Sequence, residues 1–494
     1  MSHNDQMKCR LSITFVAGLA TAGCPTSPSV FDGSPLVDSK PSMADINTDG
    51  MRSLDVRDIN TTLDAMPSVT VWAVTGGGKE DDRIHGLTLD KLDNIVITGH
   101  IQGTASFGSL QATSSGGRDV FVAKILPNGD FSWVRNGGSP GNDNALSVYV
   151  DDKNQILVVG SVGGGQSTFG GHYATCARTR CPFLATMDAN GTVSSFEVFT
   201  DVDGTFADVQ VRASGERLVA GEMSGNGEIG SIPINSAGGT DGFLAELSKD
   251  AVPIWVSPFG GDKNDGVYEV EIDNNGNAIL TGWSGGGASF DAIKAPAFSC
   301  NFVASAHLKN GQYMWVTPLI QNGAWGALSR DAKGQIYVSG NFQGNVKLGT
   351  TTLASKGGAD VFVAGLTAGG SPRWATAAGG AGIADTAFGS AYRPGYGLAV
   401  AGQFSGVADF GGKTRTSAGS NDPFVIQVSE SGAIANVWTA GGKGNDTAWA
   451  VAIDSTGAVV VGGMFEGPTT FEHFVGTPYG MLDLYVWKIA PQQL

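Results

Sequence analysis

Between Trp72 and Leu494 one unit of about 60 residues recurs seven times, and its internal spacing hardly varies. A glycine ending an apolar run (Gly99, Gly160, Gly221, Gly282, Gly340, Gly402, Gly463) is followed by an apolar marker at Phe107, Phe169, Ile229, Phe290, Leu348, Phe410 or Phe471. A third position, Asp119, Cys181, Asp241, Cys300, Asp360, Asp422 and Asp483, opens a short β-branched run. An aromatic residue closes each of the first six units, at Trp133, Phe196, Trp255, Trp315, Trp374 and Trp438. Units of this length stack on one another because none can bury its own apolar faces alone. Gly supplies 74 of the 494 residues and charged residues only 15%, so the chain turns often and buries most of its backbone.

Each unit carries four strand signals. In the first they fall at 86–90, 94–99, 119–125 and 131–135, with a polar hairpin-like excursion carrying Phe107 between the second and third. Alternating β-branched runs separated by tight turns such as Asn128-Gly129 mark an antiparallel meander. Seven such meanders predict an all-β fold, a seven-bladed β-propeller of four-stranded antiparallel blades over residues 68–494. The seventh unit stops after its third strand, 484–489, while an orphan strand at 69–75 carries Trp72 ahead of the first unit. Pairing these two would complete the last blade with the N-terminal strand and close the ring, since an open ring would expose sheet edges and an apolar blade face.

On the first strand of each unit, the third residue after the loop aspartate is His85, Leu146, Ala207, Tyr268, Gly326, Phe388 or Trp449. The fourth is Gly86, Ser147, Asp208, Glu269, Ala327, Gly389 or Ala450. Strict alternation places the third and fifth residues on one bulky face and the fourth on a small one, so bulky faces nest against small ones.

These motifs resemble the bacterial seven-bladed β-propeller repeat family, whose units read W-x-x-x-x-G-G, then a loop Asp, then F-G and G-G-x-D-x-F-V-A-K. Trp255, Gly260, Gly261, Asp265 and Asp273 match that pattern, as do Phe107-Gly108 and Gly116-Gly117-Arg118-Asp119-Val120-Phe121-Val122-Ala123-Lys124. The third unit departs with Phe196 for Trp, and the fifth with Gly323 for Asp. The resemblance implies export and association with surfaces, and no shared catalytic residues.

The first 23 residues read as an export signal, with Lys8 and Arg10 before an apolar run at 11–22. Thr21-Ala22-Gly23-Cys24 resembles a lipobox, making Cys24 the expected lipidation site, with plain secretion as the alternative. Pro25 in place of a retaining aspartate points to an outer-membrane or cell-surface address. Residues 24–67 read as a flexible polar linker. Within it Asp45, Asn47, Asp49 and Gly50 imitate the start of a calcium loop, but Val56 stands where a carboxylate is needed. No metal or cofactor is expected. Cys176 and Cys181 are spaced to form a disulfide in an oxidising compartment, leaving Cys300 unpaired. A net charge of −16 opposes nucleic-acid binding, which needs a basic patch. Contact with a membrane is expected only through the lipid anchor.

Three constellations remain. The recurring loop aspartates Asp82, Asp143, Asp265, Asp385 and Asp446 read as turn residues that bind nearby N–H groups. Asp208, Glu269 and Glu271 break the small-residue rule, and carboxylates so close in sequence register can act as acid and base. Arg330 offers Glu271 an ion-pair partner. The non-repeating aromatics Trp283, Trp325, Tyr173, Tyr392, Tyr396 and Tyr479 fall in or beside turns, where exposed rings stack on sugars or anchor proteins. The expectation is a non-enzymatic, surface-tethered scaffold that binds protein or polysaccharide at the cell envelope through rim loops. An exported polysaccharide-active enzyme using the three acids, and a purely structural envelope protein, are the alternatives.

Overall fold

The computed structural model describes residues 69–492. The expected signal, Cys24, the linker and the calcium-loop imitation lie outside the described residues. Every regular element among the described residues is a β-strand. The chain begins with β1 (Thr70–Gly78), and the first unit follows as β2 (Arg83–Leu89), β3 (Ile95–Phe107), β4 (Leu110–Ile125) and β5 (Phe131–Gly138), paired antiparallel in chain order.

β1 runs antiparallel to Asp483–Ile489, from Thr70 opposite Ile489 to Gly76 opposite Leu484. It thereby supplies the fourth strand of the last unit's sheet. Trp487 Nε1 donates to Thr70 Oγ1 at 3.0 Å and Ala490 N to Val69 O at 2.6 Å, which ties the two ends of the described chain together. The first strands of successive units are neighbours in sequence order, and Thr447–Ile453 of the last unit lies beside β2 of the first.

Alternation on the first strands does not hold as expected. Each carries a register shift at one repeat position, between Ile84 and Gly86, Ala145 and Ser147, Phe206 and Asp208, Val267 and Glu269, Ala324 and Ala327, Ala387 and Gly389, and Ala448 and Ala450. A bulge inserts an unpaired residue and re-aims the side chain there. The third and fifth residues therefore do not share one face. The bulge also explains the glycine that marks every unit. It presses a first-strand carbonyl onto the second strand, so that a Cβ on Gly99 would lie 1.9 Å from Arg83 O, and one on Gly160 1.9 Å from Asn144 O.

The polar excursion is a second connection between units. β1 pairs at Gly76–Gly78 with Phe107–Ala105 of β3, and Gly137 and Gly138 of β5 pair with Phe169 and Thr168 of the next unit. At five seams the fourth strand thus belongs to its own sheet and then runs onto its successor's hairpin. The unit-closing tryptophans bridge the same seams. Trp72 Nε1 donates to Pro127 O, Trp133 Nε1 to Ala189 O and Trp374 Nε1 to Glu430 O, each across to a turn of the following unit. The marker residues Phe107, Ile229, Phe290, Phe410 and Phe471 are fully buried beneath them.

Candidate functional site

The loop aspartates, which turn chemistry explains in sequence, are pins. Asp143 is buried and takes Ser139 N at 2.6 Å on Oδ2 and Gly163 N at 2.6 Å on Oδ1. Asp82, Asp265, Asp385 and Asp446 accept the corresponding pairs of backbone N–H groups. Each carboxylate therefore joins the preceding unit's last strand to its own unit's second strand. Buried backbone donors need such partners, so these residues belong to the scaffold.

The acid trio is also tied down. Asp208 Oδ1 accepts Ser147 Oγ at 2.6 Å and Val209 N at 2.8 Å, while Oδ2 accepts Val270 N at 2.9 Å from the next unit. Glu269 Oε2 accepts Leu328 N at 2.6 Å from the unit after that. Glu271 Oε2 lies 3.5 Å from Arg330 Nε. First strands are sheet edges, and Asp208 and Glu269 satisfy edge N–H groups of their neighbours. Burial pushes Asp208 up to about 6 and Glu271 up to about 7, and raises Glu269 well above the carboxylate range with Asp208 adding repulsion. Among the described residues no group of three or more His, Cys, Asp or Glu is placed to hold a metal.

The expected binding aromatics part company. Tyr173 is 68% exposed on the hairpin of the second unit. Tyr396 is buried, contrary to its expected place in an exposed turn. Tyr392 is half-buried, stacks on Tyr337 with centroids 5.5 Å apart and donates its hydroxyl to Glu430 Oε1 at 2.6 Å. Both serve packing: Tyr396, in the turn at 394–396, joins a buried cluster with Ala399, Ala401 and Val425, and its carbonyl accepts Gln427 Nε2 at 2.9 Å. Cys176 and Cys181 are bonded to each other, and Cys300 is a buried free thiol.

Trp283 and Trp325 are different. The first-strand bulges turn Tyr268, Phe388, Trp449 and His85 toward one another, and Trp325 sits among them with a φ of 62°. Trp325 stacks on Tyr268 at 5.7 Å and meets Phe388 and Trp449 edge-on at 5.0 and 5.6 Å. Trp449 in turn lies 6.2 Å from His85. All five rings are half-buried, unlike the repeated phenylalanines of the core. The cluster joins residues of the first, fourth, fifth, sixth and seventh units.

A polar group continues from it. His85 Nε2 lies 3.1 Å from His100 Nδ1, and His100 Nε2 lies 3.7 Å from Asp81 Oδ2. Asp81 also pairs with Arg83 Nε at 2.7 Å and Arg118 at 2.5 Å. Burial works against its charge, yet His100 and Arg83 beside it hold the Asp81 carboxyl well below the usual range. Burial lowers both imidazoles, so both are neutral at neutral pH and one donates to the other. On the far side Arg180 pairs with Glu222 at 3.4 Å, and Glu222 lies against Gly266 together with Trp283. Trp449 Nε1 has no acceptor. Sequence reading singled out Trp283 and Trp325 but not His85, His100, Asp81, Arg83, Phe388 or Trp449. The histidines fall in different repeat slots, and only the bulge brings them together. A mixed-charge cleft of about 280 Å³, lined by Glu197, Arg217, Lys249 and Asp250, lies elsewhere among the described residues.

No family model matches this chain, and no curated protein does. Among solved structures it is similar to the WD40 domain of Neurospora crassa Pan2, at 10% identity, covering 83% of this chain and 90% of that one, TM-score 0.42. It is also similar to an ulvan lyase of a new polysaccharide lyase family, bound to -[GlcA(1-4)Rha3S]-, at 10% identity over 79% of this chain and 93% of that one, TM-score 0.44. A Dyadobacter fermentans protein of unknown function matches at 10% identity over 86% and 99% of the two chains, TM-score 0.41. At such scores these likenesses bear on neither ligand nor reaction.

Proposed function

We propose that the chain is an exported seven-bladed β-propeller, closed by β1 and tethered through Cys24, which binds polysaccharide where its first strands converge. The ring is supported by the pairing of β1 with Asp483–Ile489 and by the contact of the last unit's first strand with β2. The cluster of half-exposed rings around Trp325 carries the binding reading. Sugar rings present apolar C–H faces that stack on aromatic side chains, and their hydroxyls need donors and acceptors beside those faces. His85 and the guanidinium groups of Arg83 and Arg118, all partly exposed, supply them. Two arginines against one aspartate leave this side of the site locally positive, favouring sugars that carry carboxylate or sulfate.

A second reading, action on polysaccharide, rests on the linked His85, His100 and Asp81. Neutral imidazoles beside cations are able to take a proton from a bound sugar. Both readings are tested by titrating the full chain with neutral and uronic-acid polysaccharides by calorimetry, alongside an assay for new chain ends. Trp449→Ala and Arg83→Ala should each weaken binding at least about tenfold while Tyr173→Ala leaves it unchanged. Equal binding by all three variants would remove the convergence site from consideration. New chain ends lost in His85→Ala would favour the enzyme.

A further inference from the structure

Two repeat positions change together. The strand-opening residue of one unit and the loop residue of the next are both aspartate at five seams: Asp119 with Asp143, Asp241 with Asp265, Asp360 with Asp385, Asp422 with Asp446, and Asp483 with Asp82. At the two seams where the opener is Cys181 or Cys300, the loop position is Gly204 or Gly323. Neither aspartate is kept without the other, so the two act as one unit.

The structure shows what they share. Asp119 Oδ2 accepts Ser115 N at 2.8 Å, and the other four openers accept the N–H four residues back in the same way. Their Oδ1 atoms have no donor in any of the five seams, and none of the five residues is more than 3% exposed. The partner carboxylate lies close by, across a glycine that leaves the space open. A Cβ on Gly138 would sit 2.8 Å from Asp119 Oδ1 and 2.4 Å from Asp143 Oδ2, and one on Gly379 would sit 2.8 Å from both Asp360 Oδ1 and Asp385 Oδ2. The loop aspartates already use both oxygens on backbone N–H groups. A second buried negative charge beside them, with one oxygen bare, is strongly unfavourable.

We propose that each of the five aspartate pairs holds one proton, carried on the opener's Oδ1 and donated to the loop carboxylate, so that five seams are closed by an acid–carboxylate hydrogen bond. Burial, reinforced by the partner's charge, pushes Asp119, Asp241 and Asp422 up to about 6. Other charges face the pairs unevenly: Lys356 toward Asp360, Lys263 toward Asp265, Glu466 toward Asp446, and Asp81 beside Asp82. The Asp360 and Asp265 pairs are therefore expected to lose their proton at lower pH than the others. A cation in place of the proton is short of ligands, since among the described residues no third His, Cys, Asp or Glu joins a pair to hold a metal.

Infrared spectroscopy of the full chain tests this. At pH 6 the wild type should show a protonated-carboxyl C=O band that shifts in D2O, and the difference from Asp119→Asn should remove about one fifth of the pairs' intensity. That subtraction cancels the signal of Glu269. Asp119→Asn should fold and melt near the wild type at pH 5, where the pair holds its proton, because its amide donates where the acid proton did. Asp143→Asn should melt well below it, because an NH2 group replaces an acceptor facing backbone N–H. The proposal falls if the difference spectrum is blank, or if the two asparagine variants melt alike. It also falls if calcium raises and EDTA lowers the melting temperature, which would put a cation in the seams.

Discussion

Two kinds of seam hold neighbouring units together, and they solve the same problem differently. Five seams bury a pair of aspartates against a glycine. The other two carry Cys181 or Cys300, and their loops are tied by other means. At the Cys300 seam Asn341 Oδ1 accepts Ala324 N at 2.8 Å and Asn301 Nδ2 donates to Trp325 O at 2.6 Å. At the Cys181 seam the thiol is bonded to Cys176. Both alternatives avoid buried charge, which shows that the seam needs its backbone groups satisfied and does not need carboxylate as such. The Cys300 seam also fixes the backbone of Trp325, the residue at the centre of the aromatic cluster, through Asn301 and Tyr268. The departure from the repeat and the candidate site thus coincide.

The comparison is broken most severely at the seam that joins the chain's two ends. Deleting residues 69–78 removes the strand on Asp483–Ile489 together with Gly77 and Gly78, which face Asp483 and Asp82. The melting temperature should fall by roughly 10 °C or more. An unchanged thermal melt would remove β1 from any role in closure.

Acidity separates the two kinds next. A carboxyl whose folded pKa is raised contributes stability that is complete below its unfolded value near 4 and is lost as pH rises through the folded value. Asp82, Asp119, Asp241, Asp385 and Asp422 are pushed up to about 6, chiefly by burial. Asp81, Asp90 and Asp454 are lowered, so their contribution disappears in acid instead. Denaturant midpoints should therefore peak between about pH 4 and 5 and decline toward pH 7. A plateau from pH 5 to 8 would contradict the paired-aspartate account.

Single substitutions sharpen the contrast further. Asp143→Ala strands the N–H groups of Ser139 and Gly163 and should cost about 3–5 kcal/mol by urea unfolding, against about 1 kcal/mol for Cys300→Ala. Equal costs would mean that the aspartates are passive fillers. Smallest is the loss of the Cys176–Cys181 bond. It closes a short loop, and Cys176→Ser with Cys181→Ser should cost about 2 kcal/mol in the same measurement. No change would leave the bond without a share in that seam's stability.

Much of the scaffold was legible in advance because repetition multiplies each signal. The seven apolar markers, the unit-closing tryptophans and the orphan strand all fall where spacing placed them, and the disulfide joins the two cysteines that spacing paired. The site was less legible. Asp208, Glu269 and Glu271 stood out by breaking a pattern, yet two of them are acceptors for a neighbour's edge N–H groups and the third faces Arg330. Tyr392 and Tyr396 lie beside and in one turn and were read as exposed, but chain neighbours alone do not reveal which turn residues pack inward.

Sequence by itself determined the all-β class, the unit and its strand order, because alternation, turn residues and glycine are local properties repeated many times. Only the tertiary structure decided that a bulge lies on every first strand. That bulge depends on a carbonyl of one strand pressing onto the glycine of the next, a contact across strands that no periodicity encodes. It is also what gathers Tyr268, Trp325, Phe388, Trp449 and His85 from five units into one place.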